Sequence, residues 1–294
     1  MQVLFRYKQL LILIMMIGPY LQSQNTTGAF VSTEEDSFFS VGFNYITDAV
    51  FLGRKDSITA PYLFTSLGYH HKSGLYANGH ASYLTRANEG RIDLFLVSAG
   101  YEKLMEKFYW DISATKYFFN TDSYNVMASI EADITALGRY DLEIVEVGLA
   151  ASIYFSSNSS TDLVLLPSVS RDFTTTDKRF QVSPSLELQL GSQQFYQEYY
   201  TLRGKNNQGS GQGGSFNNNT SSITETIVLQ DESFTLMSVE LGLPMWYQYK
   251  SFIFCLSPYY AIPLNPGTIE INDTLEKEEL DPSLYLIIGL EYRI

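Results

Sequence analysis

The chain has 294 residues, of which 45% are hydrophobic and 15% aromatic, with 22 Tyr and 19 Phe. Charged residues make up only 17% yet sum to -13, which excludes a nucleic-acid partner, because phosphates require a basic footprint. The single Cys255 excludes an intramolecular disulfide.

Residues 1–23 read as a secretory signal peptide. Arg6 and Lys8 precede an apolar run from Leu10 to Ile17, and Gly18-Pro19 and a polar tail follow. The run is too short for a membrane-spanning helix, which needs about 20 residues. Cleavage is expected after Ser23, with Leu21 standing where a small residue is usual, and residues 24–36 would form a short periplasmic segment. No cysteine follows the apolar run to carry a lipid anchor.

Beyond this point, alternating segments of about ten residues recur between turn signals, the pattern expected of strands that cross a membrane as a barrel. Twelve are expected: 37–47, 59–71, 74–86, 91–103, 107–119, 123–136, 142–156, 161–173, 178–191, 233–249, 251–263 and 282–294. In the sixth, Tyr124, Val126, Ala128, Ile130, Ala132 and Ile134 share one face, against Asn125, Ser129, Glu131, Asp133 and Thr135. In the ninth, Val182, Pro184, Leu186, Leu188 and Leu190 oppose Gln181, Ser183, Ser185, Glu187 and Gln189. The eleventh sets Phe252, Phe254, Leu256, Pro258, Tyr260 and Ile262 together, which leaves Cys255 as a small buried filler.

Short links follow even-numbered segments, whereas the two longest, near 192–232 and 264–281, follow the ninth and eleventh. Both therefore emerge on one side, as do the long extracellular loops of outer-membrane barrels with an even strand count. A soluble sandwich or lipocalin-like barrel would also alternate, but its outer polar faces would carry many Lys and Glu. Here the polar faces are rich in Ser, Thr, Asn, Gly and Tyr. Aromatic residues fall at segment ends, as at Tyr45, Tyr69, Tyr101, Phe108, Trp110, Tyr117, Trp246 and Tyr247, where a membrane interface would lie. The expected fold is all-β: a closed, up-and-down, antiparallel transmembrane β-barrel over residues 37–294, with both termini periplasmic.

The segment PSLYLIIGLEYRI, 282–294, is apolar at every second position, and Leu286, Ile288, Leu290, Tyr292 and Ile294 carry that alternation. It resembles the C-terminal signal of Gram-negative outer-membrane β-barrel proteins. That resemblance implies insertion by the barrel assembly machinery, with outer-membrane lipid as the surrounding partner.

Candidate functional residues are the inward carboxylates Glu102, Asp111, Glu131, Asp133, Glu146, Glu187, Glu240 and Glu291, set against Arg86 and Arg293 as inward cations. Crowded like charges need water, cations or arginine to neutralise them. They imply either a hydrated lumen favouring small cations or solutes, or one filled by hydrogen bonds; a narrow or occluded lumen is expected. His80 and Ser82 share a face and faintly resemble the His-x-Ser-Asn of outer-membrane phospholipase A, which would make His80 a base and Ser82 a nucleophile. Tyr83 stands where that pattern has Asn. Asp273, Glu276, Glu278, Glu279 and Asp281 do not have the spacing of a calcium loop, and no metal or cofactor is expected. The Gly/Asn/Ser-rich stretch 204–222 reads as a flexible surface loop, with adhesion or binding through 192–232 as a further alternative. A porin-like or structural surface barrel without a catalytic centre is the expected function.

Overall fold

The computed structural model describes residues 36–55, 59–125, 127–156, 161–192, 227–229, 234–266, 268–271, 274–277 and 280–294. The signal segment, nearly all of 24–36 and most of the 192–232 connection lie outside the described residues, as do Asp273, Glu278 and Glu279.

Twelve strands form the wall. They are β1 (Phe38–Ile46), β2 (Tyr62–His70), β3 (Leu75–Leu84), β4 (Arg91–Met105), β5 (Phe108–Phe119), β6 (Ile130–Asp141) and β7 (Glu146–Ser156). They continue as β8 (Thr161–Ser170, resumed at Phe173–Thr174), β9 (Phe180–Val182, resumed at Ser185–Gly191) and β10 (Thr235–Gly242, resumed at Met245–Tyr249). The last two are β11 (Phe252–Pro263) and β12 (Ser283–Arg293). Each pairs antiparallel with its sequence neighbour, and β12 returns to β1 through Val41↔Tyr292, Phe43↔Leu290 and Tyr45↔Ile288. The sheet is therefore a closed meander with no free edge, the condition under which a sheet can lie in hydrocarbon.

Proline explains two of the interruptions. It lacks an N–H and breaks a ladder, and Pro184 and Pro244 fall in the gaps of β9 and β10. The flanking backbone repairs the wall: Arg171 donates to the Pro184 carbonyl at 3.1 Å, Ser183 to Pro244 at 2.9 Å and Leu243 to Pro258 at 3.0 Å.

The pleat sorts side chains by chemistry in the sense opposite to a soluble barrel. Every strand presents at least one large apolar residue outward, among them Phe43 at 51% exposure, Leu67 at 61%, Leu149 at 49% and Ile288 at 49%. Thr135 and Ser152, pointing inward, are 0% exposed. A largely apolar exterior around a buried interior rich in polar groups fits a lipid solvent and not water. The connections are asymmetric as well. After even-numbered strands the chain turns within residues 71–74, 106–107, 142–145, 175–179 and 250–251, while 47–61, 85–90, 120–129, 157–160, 192–234 and 264–282 follow odd ones, all but 157–160 longer than any of the first set. Part of that far end carries a small sheet in which Thr268–Ile271 pairs with Ile227–Leu229 and with Thr274–Lys277.

Four expectations need correction. The sixth strand begins at Ile130 and not near 123, because Ser123 and Asn125 capture local backbone instead: Ser123 Oγ accepts from the Asn125 amide and Asn125 Oδ1 from the Met127 amide. A bulge between Ile130 and Ala132 then turns Glu131 outward, where it accepts from Lys116 Nζ at 2.9 Å, so it does not line the lumen. Tyr117 and Trp246 also face inward, at 3% and 4% exposure, and so do not belong to an interfacial belt. Arg86 sits beyond the end of β3, paired with Glu89 at 3.0 Å, and not on an inward strand position.

Candidate functional site: the packed lumen

The interior is organised in three levels. At the end that carries both termini, a lateral chain of side chains crosses the lumen face. Arg293 Nε donates to Glu291 Oε1 at 2.6 Å, and its guanidinium lies 5.1 Å from the Phe38 ring centre. Phe38 stacks on His70 at 4.8 Å and His70 on Tyr76 at 5.4 Å. His70 Nδ1 meets Glu102 Oε1 at 3.3 Å, and Tyr109 Oη donates to the other oxygen of Glu102 at 2.8 Å. Arg139 covers the Tyr109 ring at 4.7 Å and donates to Glu146 Oε1 at 3.2 Å. From β12 through β1 to β7, eight strands are joined in this way. Asp172 continues the belt by accepting from Ser183 Oγ, to which Gln181 Nε2 donates at 3.0 Å.

Arg139 is the functional cation that sequence reading missed. Placing the sixth strand at 123–136 left residue 139 in a supposed turn; the true strand runs to Asp141 and makes it an inward position, 4% exposed.

At mid-height the remaining acids are buried and bonded. Asp133 accepts from Tyr117 Oη at 2.6 Å and Thr135 Oγ1 at 2.8 Å. Glu187 and Glu240 face each other across the β9–β10 ladder. Gln189 donates to Glu187 at 3.1 Å, and Tyr285, stacked on Tyr259 at 5.2 Å, donates to Glu240 at 2.8 Å. Asp111 is 2% exposed. Seven of the eight expected acids thus point inward. Asp93 is an eighth, which reading the fourth segment as a regular strand did not single out. A bulge opposite Ser82 and Tyr83 turns it in with Leu94, and it accepts from Tyr62 Oη at 2.8 Å, Ser123 Oγ at 2.6 Å and Arg91 Nε at 3.1 Å.

The far end is filled by chain. Residues 48–54 do not extend outward; Phe51 and Arg54 close a tight turn through paired backbone bonds of 2.7 and 2.9 Å, with Leu52 and Gly53 both at positive φ. Val50, Phe51 and Leu52 are at most 1% exposed. The Phe51 ring meets Tyr154 on β7 at 6.1 Å, and Leu52 lies against Gly191 on β9. Two buried polar anchors hold the turn: Arg54 Nη2 donates to the Leu264 and Asn265 carbonyls at 3.3 and 2.9 Å. Asp48 accepts from Lys55 Nζ at 2.8 Å and from the Ala49 and Ala60 amides.

His80 and Ser82 are both inward on β3 and buried, and Nε2 of His80 has no hydrogen-bond partner. Cys255 is likewise inward, 3.3 Å from Ser257 Oγ.

A closed meander with an apolar outside and a bonded polar inside is an outer-membrane type of transmembrane β-barrel. No family model matches the chain, and no curated protein matches it. Among solved structures, a KdgM porin is similar at TM-score 0.46 and 11% identity, over 86% of this chain and 98% of that one. A NanC porin is similar at TM-score 0.46 and 8% identity, over 87% and 100%. LpxR from Salmonella typhimurium is similar at TM-score 0.40 and 10% identity, over 86% and 99%.

Proposed function

We propose that this chain is a porin-like outer-membrane barrel that rests closed to hydrated solutes. The observation that carries the reading is the inward turn at residues 48–54, whose Phe51 reaches the β7 wall opposite its own strand of origin. Twelve strands enclose more space than eight, which side chains alone just fill. Here a loop occupies one end and the Arg293-to-Glu146 belt crosses the other. The inward acids would give such a lumen a preference for small cations once opened. The termini and short turns would face the periplasm and the long connections the exterior, following the asymmetry usual in this class. Asp48 and Arg54 hold the plug by side-chain bonds to backbone, an arrangement that can be released without unfolding the wall.

The hydrolase alternative has no comparable support, since His80 and Ser82 point away from lipid.

Planar-bilayer recording tests the proposal. The wild type is expected to give no resolved conductance steps in KCl, and replacing residues 49–54 with a Gly-Ser linker is expected to produce cation-preferring steps. Open-pore steps from the wild type would refute the closed state.

A further inference from the structure

The rim at the terminal end of the barrel is lopsided in charge. Residues 171–179, where β8 passes to β9, and the 250–251 turn carry Arg171, Lys178, Arg179 and Lys250 against Asp172 and Asp177. Asp172 is turned inward onto Ser183, which leaves Asp177 as the outer carboxylate. On the neighbouring arc of the same rim, residues 103–107 and 141–145 carry Lys103 and Lys107 against Glu106, Asp141 and Glu143, and Lys107 Nζ is bonded to Glu143 at 2.6 Å. The 71–74 turn adds one cation, Lys72. Positive charge is therefore concentrated on the β8–β11 arc.

The outward wall beside that arc is aromatic. Phe180 pairs with Tyr247 and Tyr247 with Phe254, and two residues nearer the rim Tyr249 pairs with Phe252 and Phe252 with Tyr292. These six rings are 38–49% exposed. The cations sit on the edge of this surface. Arg171 lies 5.2 Å from the Phe173 ring centre, and Lys250 Nζ lies 5.5 Å from that of Tyr249. Arg171 Nη1 also donates to the Ile144 carbonyl at 2.8 Å, which fixes the guanidinium and leaves its other N–H groups for a ligand. The Arg179 side chain is 59% exposed and stands 4.0 Å from Asp177. The neighbouring arc has exposed rings too, Phe108 and Tyr140, so it is the charge that singles out β8–β11.

Aromatic rings settle at the boundary between hydrocarbon and headgroups, and cations just beyond that boundary draw anionic headgroups. Guanidinium and ammonium groups hold phosphate oxygens by charge-assisted hydrogen bonds, and their long stems reach across apolar surface to do so. A dissolved anion would use the cations alone, whereas two rows of rings beside them offer a surface for acyl chains. We infer that the β8–β11 arc is a docking surface for anionic phospholipid, with the phosphate held by Arg171, Arg179 and Lys250 and the acyl chains laid along the rings. This rests on the proposed periplasmic placement of the terminal end, where an outer membrane presents its phospholipid leaflet.

Native mass spectrometry of the detergent-solubilised protein, given equal amounts of phosphatidylglycerol and phosphatidylcholine, tests it, with folding of each variant checked by heat-modifiable gel migration. The wild type should retain phosphatidylglycerol severalfold over phosphatidylcholine. Arg171→Gln with Arg179→Gln and Lys250→Gln should bring the two lipids to parity. Should that triple variant fail to fold, Arg179→Gln with Lys250→Gln, which spares the Ile144 bond, should still lower the preference. Lys72→Gln with Lys103→Gln and Lys107→Gln, the same loss of charge on the other arc, should leave it unchanged. Parity in the wild type, equal losses in the two triple variants, or displacement of the lipid by inorganic phosphate would overturn the docking surface. Labelling of Arg179→Cys, in a Cys255→Ala background, by a membrane-impermeant maleimide on intact cells would instead sink the periplasmic placement, whatever the lipid preference.

Discussion

The ring of Phe51, carried inward by the connection that follows β1, meets Tyr154 of β7 edge-on with centroids 6.1 Å apart. In a twelve-stranded ring these elements come from opposite sides, so a contact between them means that chain spans the interior. Replacing Phe51 with Ala removes a fully buried ring, a change that costs about 3–5 kcal/mol when a core cannot collapse around it. The loss should fall on the plug. Hydrogen exchange at the Phe51 and Arg54 amides is expected to accelerate strongly, with the β1 and β7 amides unchanged; uniform acceleration would mean that the plug and the wall open together.

Two glycines separate the crowded interior from the open exterior. A Cβ on Gly53, at φ +76°, would lie 2.6 Å from Ser238 Cβ and 3.0 Å from Pro263 Cα, whereas one on Gly79 meets nothing within 4 Å. Gly53→Ala is expected to destabilise by about 1–3 kcal/mol through overpacking. Gly79→Ala should stay within about 0.5 kcal/mol. Urea unfolding of protein refolded in lipid vesicles measures both.

Arg139 is a buried charge shared between Glu146 and the Tyr109 face. Arg139→Met leaves Glu146 without its partner, and breaking one side of a buried pair costs about 3–5 kcal/mol. Adding Glu146→Gln should restore part of the loss. A double-mutant cycle reads the coupling, and strictly additive effects would contradict the pairing.

Much of the wall was legible in the sequence. The outward positions of 284–294 are apolar without exception because β12 is paired on both sides and meets lipid on one face, so period two is what packing asks of it. Local hydrogen bonding was less legible. Ser123 and Asn125 fit an alternating pattern but bind their own backbone, which moved the start of β6 by several residues and hid Arg139, while the bulge after Ile130 misplaced Glu131. The inward path of residues 48–54 could not be read from pattern, because it is set by distant partners: Leu264, Asn265, Gly191 and Tyr154. Likewise Asp93 owes its orientation to a bulge, and a bulge leaves no periodic trace.

The turn between β8 and β9 provides a pH test outside the membrane. Thr175 Oγ1 donates to Asp177 Oδ1 at 2.6 Å, which holds that exposed carboxyl below the usual carboxylate range. A depressed folded-state pKa gives a contribution that is present above the unfolded-state value and lost as pH falls through the folded one. The Lys178 amide, which donates to the Thr175 carbonyl at 2.8 Å, should therefore lose protection in acid, measured relative to its intrinsic exchange rate at each pH. Thr175→Val should move the Asp177 titration upward, as followed by carboxyl-carbon NMR; an unmoved titration would assign the shift elsewhere.

Site-directed spin labelling in lipid vesicles tests the membrane-facing arrangement most directly, in a Cys255→Ala background that removes the inward thiol. Labels at Leu149 and Ile288 should be highly accessible to dissolved oxygen and shielded from a water-soluble nickel chelate, and a label at Ser152 should be shielded from both. High nickel accessibility at Leu149 and Ile288 would contradict the account, because it would put their apolar faces in water.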